Sequence, residues 1–321
     1  MKTNQPAASP VLVIVAFAIV WVVWGSTYFF IQVAIHGFPP MLMGAVRFLT
    51  AGILMLIWCA IKGDKIWSRK DIITSGISGF LMLFIGMGIV IWTEQSLPSA
   101  MVAIMVSTNP IWFVALDKDN WKVNLKSKST ISGLILGFGG VFLLFGEAIF
   151  KSSQGAFSHQ QLIALLLLLI GPIGWCTGSL VSKKSGSTAP ARLNTAWQMV
   201  IAGILYIFAG AIHNEIGTFH PTQIPLQAWL AVGYLIVFGS IFGFSAYVWL
   251  LSVRPATQVS THSYVNPVIA VLLGTFFGNE HISTLQLIGL FVILFSVLLV
   301  NLTKYSFKKS KPADEVLAEA K

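Results

Sequence analysis

VSTNPIWF (106–113) and STHSYVNPVIAVLLG (260–274) each carry an Asn–Pro pair in a largely apolar region. Proline inside a helix removes one backbone hydrogen bond and clashes with the carbonyl four residues back, at a cost of roughly 3 kcal/mol. Such a breaker calls for a reason, and here it occurs twice at one spacing. Shifting the chain by 157 residues superposes Trp92 on Trp249, Pro98 on Pro255, Val102 on Val259, and Asn109–Pro110 on Asn266–Pro267. Upstream, an offset of 151 superposes Trp24 on Trp175 and Ala51–Gly52 on Ala202–Gly203. The small change in offset is a difference in loop length between two copies of one unit.

Composition says in what solvent the two copies fold. Of 321 residues, 56% are apolar and 10% charged, against roughly 25% charged in soluble proteins. A soluble domain could not cover so much apolar surface, so the solvent is lipid. Ten apolar stretches are near bilayer length: 11–34, 39–61, 72–93, 98–116, 130–149, 160–182, 190–212, 227–251, 257–277 and 284–303. The first is too long, and lacks the exit, for a cleaved signal peptide.

The net charge of +9 is explained by its placement. With a cytoplasmic N-terminus, the inner segments hold eighteen of the twenty Lys and Arg, from Lys2 through Lys62, Lys128 and Lys184 to the tail. The outer loops hold Lys151, and Arg47 lies within a span. This is the positive-inside pattern with both termini cytoplasmic, so no nucleic-acid partner is expected. The sequence has no HExxH, Walker-type loop, GxSxG or Cys/His cluster, which leaves no enzyme motif, cofactor or metal site to expect. Cys59 and Cys176 fall in apolar spans as buried thiols.

The expected fold is an all-α polytopic membrane protein of ten transmembrane helices, arranged as two inverted five-helix repeats. Residues 1–155 form the first repeat, 156–303 the second, and 304–321 a basic cytoplasmic tail. Five is odd, so the two halves enter the membrane from opposite sides. Proline-interrupted spans at matching positions of inverted repeats point to a binding site between them. Pro110 deprives the Val106 carbonyl of its helical donor and Pro267 does so to Ser263. In lipid each carbonyl needs another partner.

Four blocks, WGSTYFFI (24–31), PPMLMGAVRFLTAGIL (39–54), GYLIVFGSIFGFSAYVWL (233–250) and SYVNPVIAVLLGTFFGNE (263–280), resemble the drug/metabolite transporter superfamily. Within it they resemble the EamA-type exporters of the YedA-like group. The resemblance implies a ten-helix inner-membrane carrier with a central cavity lined by helices 1, 3, 4, 6, 8 and 9, exporting amino acids, metabolites or amphipathic drugs. Small multidrug relatives in the superfamily use a glutamate in their first span, and no Asp or Glu occurs between Val11 and Ala34. Proton exchange on that pattern is not expected. The chain also departs after Leu116, where Asp117, Lys118, Asp119, Asn120 and Lys122 replace the apolar continuation of the twin segment. Span 4 is therefore short, at about 25 Å from Ala100 to Leu116, and these charges read as a solvated loop.

Hydroxyl, amide and aromatic residues mark the candidate cavity: Trp24, Ser26, Thr27, Trp92, Ser107, Asn109, Trp175, Thr177, Tyr247, His262, Tyr264 and Asn266, with helix breaks at Pro110 and Pro267. Aromatic faces with one polar edge suit aromatic or amphipathic solutes and cations, although each is equally suited to helix packing. His262 reads either as a hydrogen-bonded packing residue or as a proton relay. Arg47, the intramembrane charge, reads as an outer-interface anchor or as part of an anion site or gate. Glu94 is its natural partner, although Glu94, Glu147 and Glu280 read as solvated carboxylates at span ends.

The expected function is alternating-access export of small organic solutes. Import or exchange, or membrane binding without transport, are the alternatives. Expected partners are a small-molecule substrate and the lipid bilayer, with the carrier a monomer or homodimer. The charge pattern predicts cytoplasmic signals from reporter fusions after Lys62 and Lys128, and a periplasmic signal after Gln154. Opposite signals at any two of these overturn the topology.

Overall fold

Prolines open six of the described α-helices. Pro10 and Pro40 occupy the first turn of α1 (Pro10–Ile35) and α2 (Pro40–Ile61). There the fixed φ suits the helix, and the missing N–H would have had no intrahelical partner. The next helix, α3 (Arg69–Thr93), is capped by the Ser68 hydroxyl. Then come α4 (Ser99–Val106), α5 (Asn109–Leu116), α6 (Trp121–Asn124) and α7 (Lys128–Ser152). A capping box of Ser158 and Gln161 starts α8 (His159–Lys184), and Pro190 precedes α9 (Ala191–Ile212). The chain continues through α10 (Glu215–Thr218), α11 (Leu226–Val253), α12 (Ala256–Val259), α13 (His262–Gly278) and α14 (Thr284–Leu302), with Pro225 and Pro255 before α11 and α12.

The computed structural model describes residues 9–97, 99–152, 158–187, 189–278 and 284–302, all of them helical or in connections. Among the described residues, six helices are long and apolar enough to cross a membrane: α1, α2, α3, α8, α9 and α11. The basic tail 304–321, the 155/156 boundary, Glu280 and Lys2 lie outside the described residues, as does the side chain of Glu147. Large apolar residues such as Val11, Ile57, Phe208, Phe242 and Phe291 face outward, as a lipid solvent requires.

Lipid supplies no hydrophobic force between helices, so close packing must hold them. The twin glycines do this for α2 and α9. A Cβ on Gly52 would lie 2.8 Å from Val200 N, and one on Gly203 would lie 2.8 Å from Leu49 N. On the other side of the bundle α7 packs along α14, and α13 crosses α1.

Two stretches, Phe80–Gly86 of α3 and Leu235–Phe244 of α11, widen to π-helix. The first, moved by 157 residues, falls inside the second. Gly86 then coincides with Gly243, and each backs a tryptophan. A Cβ on Gly243 would meet Trp24 Nε1 at 2.6 Å, and one on Gly86 would meet Trp175 Cβ at 3.2 Å.

Four sequence expectations need correction. Span 4 is not a bent continuous helix: it unwinds at Ser107–Thr108, between α4 and α5. Pro110 thereby sits in the first turn of a new helix and costs no hydrogen bond there. Span 9 breaks at Ser260–Thr261, between α12 and α13, and not at Pro267, which lies inside α13. Glu94 is not solvated but 5% exposed, because its neighbours Val90 and Leu97 pack in a buried cluster with Tyr28 and Val102. Asp117, 2% exposed, is not in a solvated loop either. It accepts from Asn120 Nδ2 at 2.8 Å and lies 3.5 Å from Lys184 Nζ, which also meets the exposed Asp119 at 2.6 Å. Trp121 Nε1 donates to the Val114 carbonyl at 2.9 Å and so caps α5.

The glycine contact makes a direct prediction. Gly52→Ala, which forces α2 and α9 apart, lowers stability by about 1–3 kcal/mol. Ile57→Ala, on the lipid face, leaves the thermal unfolding midpoint in detergent nearly unchanged. Equal effects from both would show that the contact is slack.

Candidate functional site

Pro267 has no N–H for the Ser263 carbonyl, and Ser107 supplies the replacement. Its hydroxyl lies 2.8 Å from the Ser263 carbonyl oxygen and 2.8 Å from that of Ala103, sharing one proton between them. The unwound turn between α4 and α5 is what lets Ser107 reach across to α13. Asn109 follows it and donates from Nδ2 to Ser263 Oγ at 3.1 Å. The Cys176 thiol of α8 donates to Asn109, with Sγ 3.4 Å from its backbone carbonyl. The two Asn–Pro segments and α8 are thus tied by side chains at one level.

A void opens beside this tie. It is lined by Trp24, Thr27, Tyr28 and Ile31 of α1, Gly86, Met87 and Val90 of α3, Val106, Asn109, residues of α8 including Leu168, Pro172 and Trp175, and His262 and Asn266 of α13. The cavity volume is about 40 Å³. That suits about three waters at roughly 10–15 Å³ each. None of the lining side chains is a Lys, Arg, Asp or Glu.

Aromatic rings make its walls. The Trp24 and Trp175 centroids are 5.4 Å apart and nearly perpendicular, and His262 meets Trp24 edge-on at 5.0 Å. Trp24 Nε1 donates to the Gly239 carbonyl at 3.1 Å. Tyr247 stands behind the wall, accepting from Trp175 Nε1 at 2.9 Å and meeting Ser179 Oγ at 2.8 Å. These bonds fix the ring planes, so the void keeps its shape without a ligand.

Two buried polar atoms remain unpartnered here. His262 Nδ1 lies 3.4 Å from Asn266 Nδ2. An amide NH₂ only donates, so Nδ1 accepts and the ring proton is assigned to Nε2. That Nε2 and Asn266 Oδ1 have no hydrogen-bond partner. One donor and one acceptor are therefore available on the α13 side. Pro172 adds to them, because it leaves the Leu168 carbonyl without its helical N–H. Both residues line the void.

Of the residues proposed from sequence, Trp24, Thr27, Asn109, Trp175, His262 and Asn266 line the void. Ser107, Tyr247 and the two prolines stand behind it as supports. Four lie elsewhere. Ser26 bonds the Val23 carbonyl and Tyr234 OH, and Thr177 bonds the Ile173 carbonyl. Tyr264 points to α7 and the Leu134 carbonyl, and Trp92 packs partly buried against apolar neighbours. Sequence reasoning missed Tyr28 and Pro172. Tyr28, beside Thr27 in WGSTYFFI, carried the same aromatic signal as Tyr247, and Pro172 in GPIGW was visible as a third proline within a span.

Arg47 is 2% exposed and does not anchor at an interface. Its Nε donates to Ser240 Oγ at 2.9 Å, in the π-helical stretch of α11, and its Cζ lies 4.8 Å from the centroid of Phe48. It makes no direct ion pair with Glu94. The two groups influence each other without touching, and neither carboxyl oxygen of Glu94 has a hydrogen-bond partner.

Fold and site together define a polytopic helical membrane protein with an uncharged, aromatic-walled chamber lined in part by two broken spans. The sequence matches the EamA-like transporter family over residues 11–146 and 162–302. The Escherichia coli (strain K12) protein named "Uncharacterized inner membrane transporter YedA" is 37% identical over 302 residues, 93% of this chain and 92% of that one. The "Probable amino-acid metabolite efflux pump" of the same organism is 22% identical over 300 residues, 91% of this chain and 95% of its own. A solved crystal structure superposes with a TM-score of 0.74 at 16% identity, covering 92% of this chain and 98% of that one, which shows a shared fold. The chain belongs to the EamA-like transporter family.

The tie across the broken spans is open to test. Ser107→Ala leaves the Ser263 carbonyl without a donor and costs about 1–2 kcal/mol of stability. Ser107→Thr keeps the hydroxyl and most of the stability. Identical unfolding midpoints for wild type and Ser107→Ala would show that the bond is dispensable.

Proposed function

We propose that the chain exports small organic solutes across the inner membrane by alternating access through the aromatic chamber. The observation that carries this is the pair of unpartnered polar atoms, His262 Nε2 and Asn266 Oδ1, in a buried chamber with no charged lining. Buried polar atoms without partners are costly unless something binds them. A ligand with a flat apolar body and an edge that both donates and accepts satisfies them. That chemistry fits aromatic or amphipathic amino acids, amides and related metabolites, and the tryptophan faces also accept a cationic group. The name of the amino-acid metabolite efflux pump among the relatives supports the outward direction.

The machine behind this reading is two inverted halves of five spans, 1–155 and 156–303, with both termini and the tail 304–321 cytoplasmic. Several reciprocal contacts support it. Gly52 of one half meets α9, and Gly203 of the other meets α2. Gly243 backs Trp24 while Gly86 backs Trp175. The paired π-helical stretches lie at the offset that relates the Asn–Pro pairs. Each such contact is its own partner under exchange of the halves. At about 40 Å³ the chamber has room for water only, far below the roughly 300 Å³ of a ligand pocket. The halves must part to load it.

Flux from proteoliposomes loaded with an amino-acid panel tests the reading. Asn266→Leu removes the free acceptor and weakens substrate binding by about 1–2 kcal/mol, roughly tenfold in apparent affinity, with abundance unchanged. Binding without flux in the wild type would replace transport with a non-transporting receptor. Unchanged affinity in Asn266→Leu would remove the site but not the transporter.

A further inference from the structure

A second buried polar cluster lies away from the chamber floor, and the transport reading gives it no role. Glu94 follows the last turn of α3, is 5% exposed, and has no hydrogen-bond partner on either carboxyl oxygen. In sequence it stands between Val90 and Leu97, which belong to one buried apolar cluster with Tyr28 and Val102. The charged and titratable groups that act on it are Arg47 from α2 and Tyr28 from α1. Tyr206 of α9 acts on Arg47 in turn and is committed to the Leu83 carbonyl at 2.9 Å.

An ionised carboxylate at such a place, with no donor on either oxygen, is far more costly than the neutral acid. Arg47 could neutralise it, but its guanidinium is turned to Ser240, and its Nη1 is left without a partner. Two complementary groups, each incompletely satisfied, stand short of contact. That is the geometry of a pair that closes in another conformation.

We propose that Glu94 is the proton-carrying group of the transport cycle. It holds a proton in this conformation and ionises when the helices rearrange to bring it onto Arg47. On ionisation the carboxyl O–H bond breaks, the proton passes to water, and the carboxylate accepts hydrogen bonds from the guanidinium. The return step reverses each of these, with the proton taken from water. The link to the chamber is physical. Arg47 moving toward Glu94 releases Ser240, and the neighbouring Gly239 carbonyl holds the Trp24 indole of the chamber wall. Tyr28 both acts on Glu94 and lines the chamber, so the two sites share a wall.

This inference rests on the transport reading for its consequence but not for its first test. Infrared spectra of the full chain in lipid vesicles at neutral pH should show the carbonyl stretch of a protonated carboxyl. The band should be lost in Glu94→Gln and kept in Asp119→Asn, which alters an exposed carboxylate. Where Glu94→Gln does not insert, Glu94→Asp serves instead, and it should shift the band. No band in the wild type, or a band unaltered by either Glu94 change, overturns the proposal. In the same vesicles, phenylalanine counterflow should respond to a pH gradient in the wild type and lose most of that response, while continuing, in Glu94→Gln. Counterflow of Glu94→Gln that still follows the gradient also overturns it. No counterflow in the wild type tells against phenylalanine export and leaves the infrared band to decide Glu94.

Discussion

No backbone carbonyl can stay bare in lipid, and the arrangement around Ser263 follows from that constraint. Pro267 interrupts the helical ladder of α13 and frees one acceptor. The nearest donor comes from another helix, at the place where that helix has itself come apart. Because Ser107 must reach Ser263, α4 and α5 cannot join as one rod. Because they do not join, Asn109 stands at a helix start, where it meets both Ser263 and Cys176. One missing N–H therefore fixes the relative placement of three helices and puts two asparagines on one chamber.

The same constraint explains which features can be read along the chain and which cannot. The twin Asn–Pro pairs, the twin tryptophans and the Gly52/Gly203 match are visible because a fixed offset is a property of sequence order alone. The demand of the Ser263 carbonyl for a donor was equally legible, since it follows from Pro267. Its donor was not, because Ser107 is more than 150 positions away and nothing local marks its direction. The site of each break was also hidden. A proline says that a helix is weak nearby, but whether the chain unwinds before it or tolerates it depends on what the freed groups can reach. Hence Ser107–Thr108 opens while Pro267 stays inside its helix.

Charged residues are where local reading fails most. Glu94 and Asp117 stand at the ends of apolar runs, and end positions usually mean water. Both are buried by the tertiary packing around them. They are then treated differently. Asp117 has Lys184 and Asn120 within reach, so its charge is met locally. Glu94 has no such neighbour, and Arg47 has been drawn instead to the π-helical stretch of α11, where the hydroxyl of Ser240 is exposed to it.

That difference bears on how the proposed halves move. The reciprocal contacts through Gly52 and Gly203, and through Gly86 and Gly243, are dense and leave little slack, so they favour rotation of packed units over local bending. Contacts of another kind lie at the helix ends. Lys184 grips Asp117 and Asp119 at one end, and Lys183 donates to the Leu251 carbonyl at 2.6 Å and to that of Arg254. Lys184 is 44% exposed and Asp119 72%, and exposed pairs of this kind are worth about 0–1 kcal/mol each. Such pairs order an end without locking it. A buried pair that closes and opens differs, because desolvation makes each state of it costly unless the proton moves too. The stiff centre, the weakly held Lys184 end and the unmatched Glu94 thus divide the labour. The centre keeps the chamber's shape, the ion-paired end yields cheaply, and the buried carboxyl is where a change of protonation can weigh one state against the other.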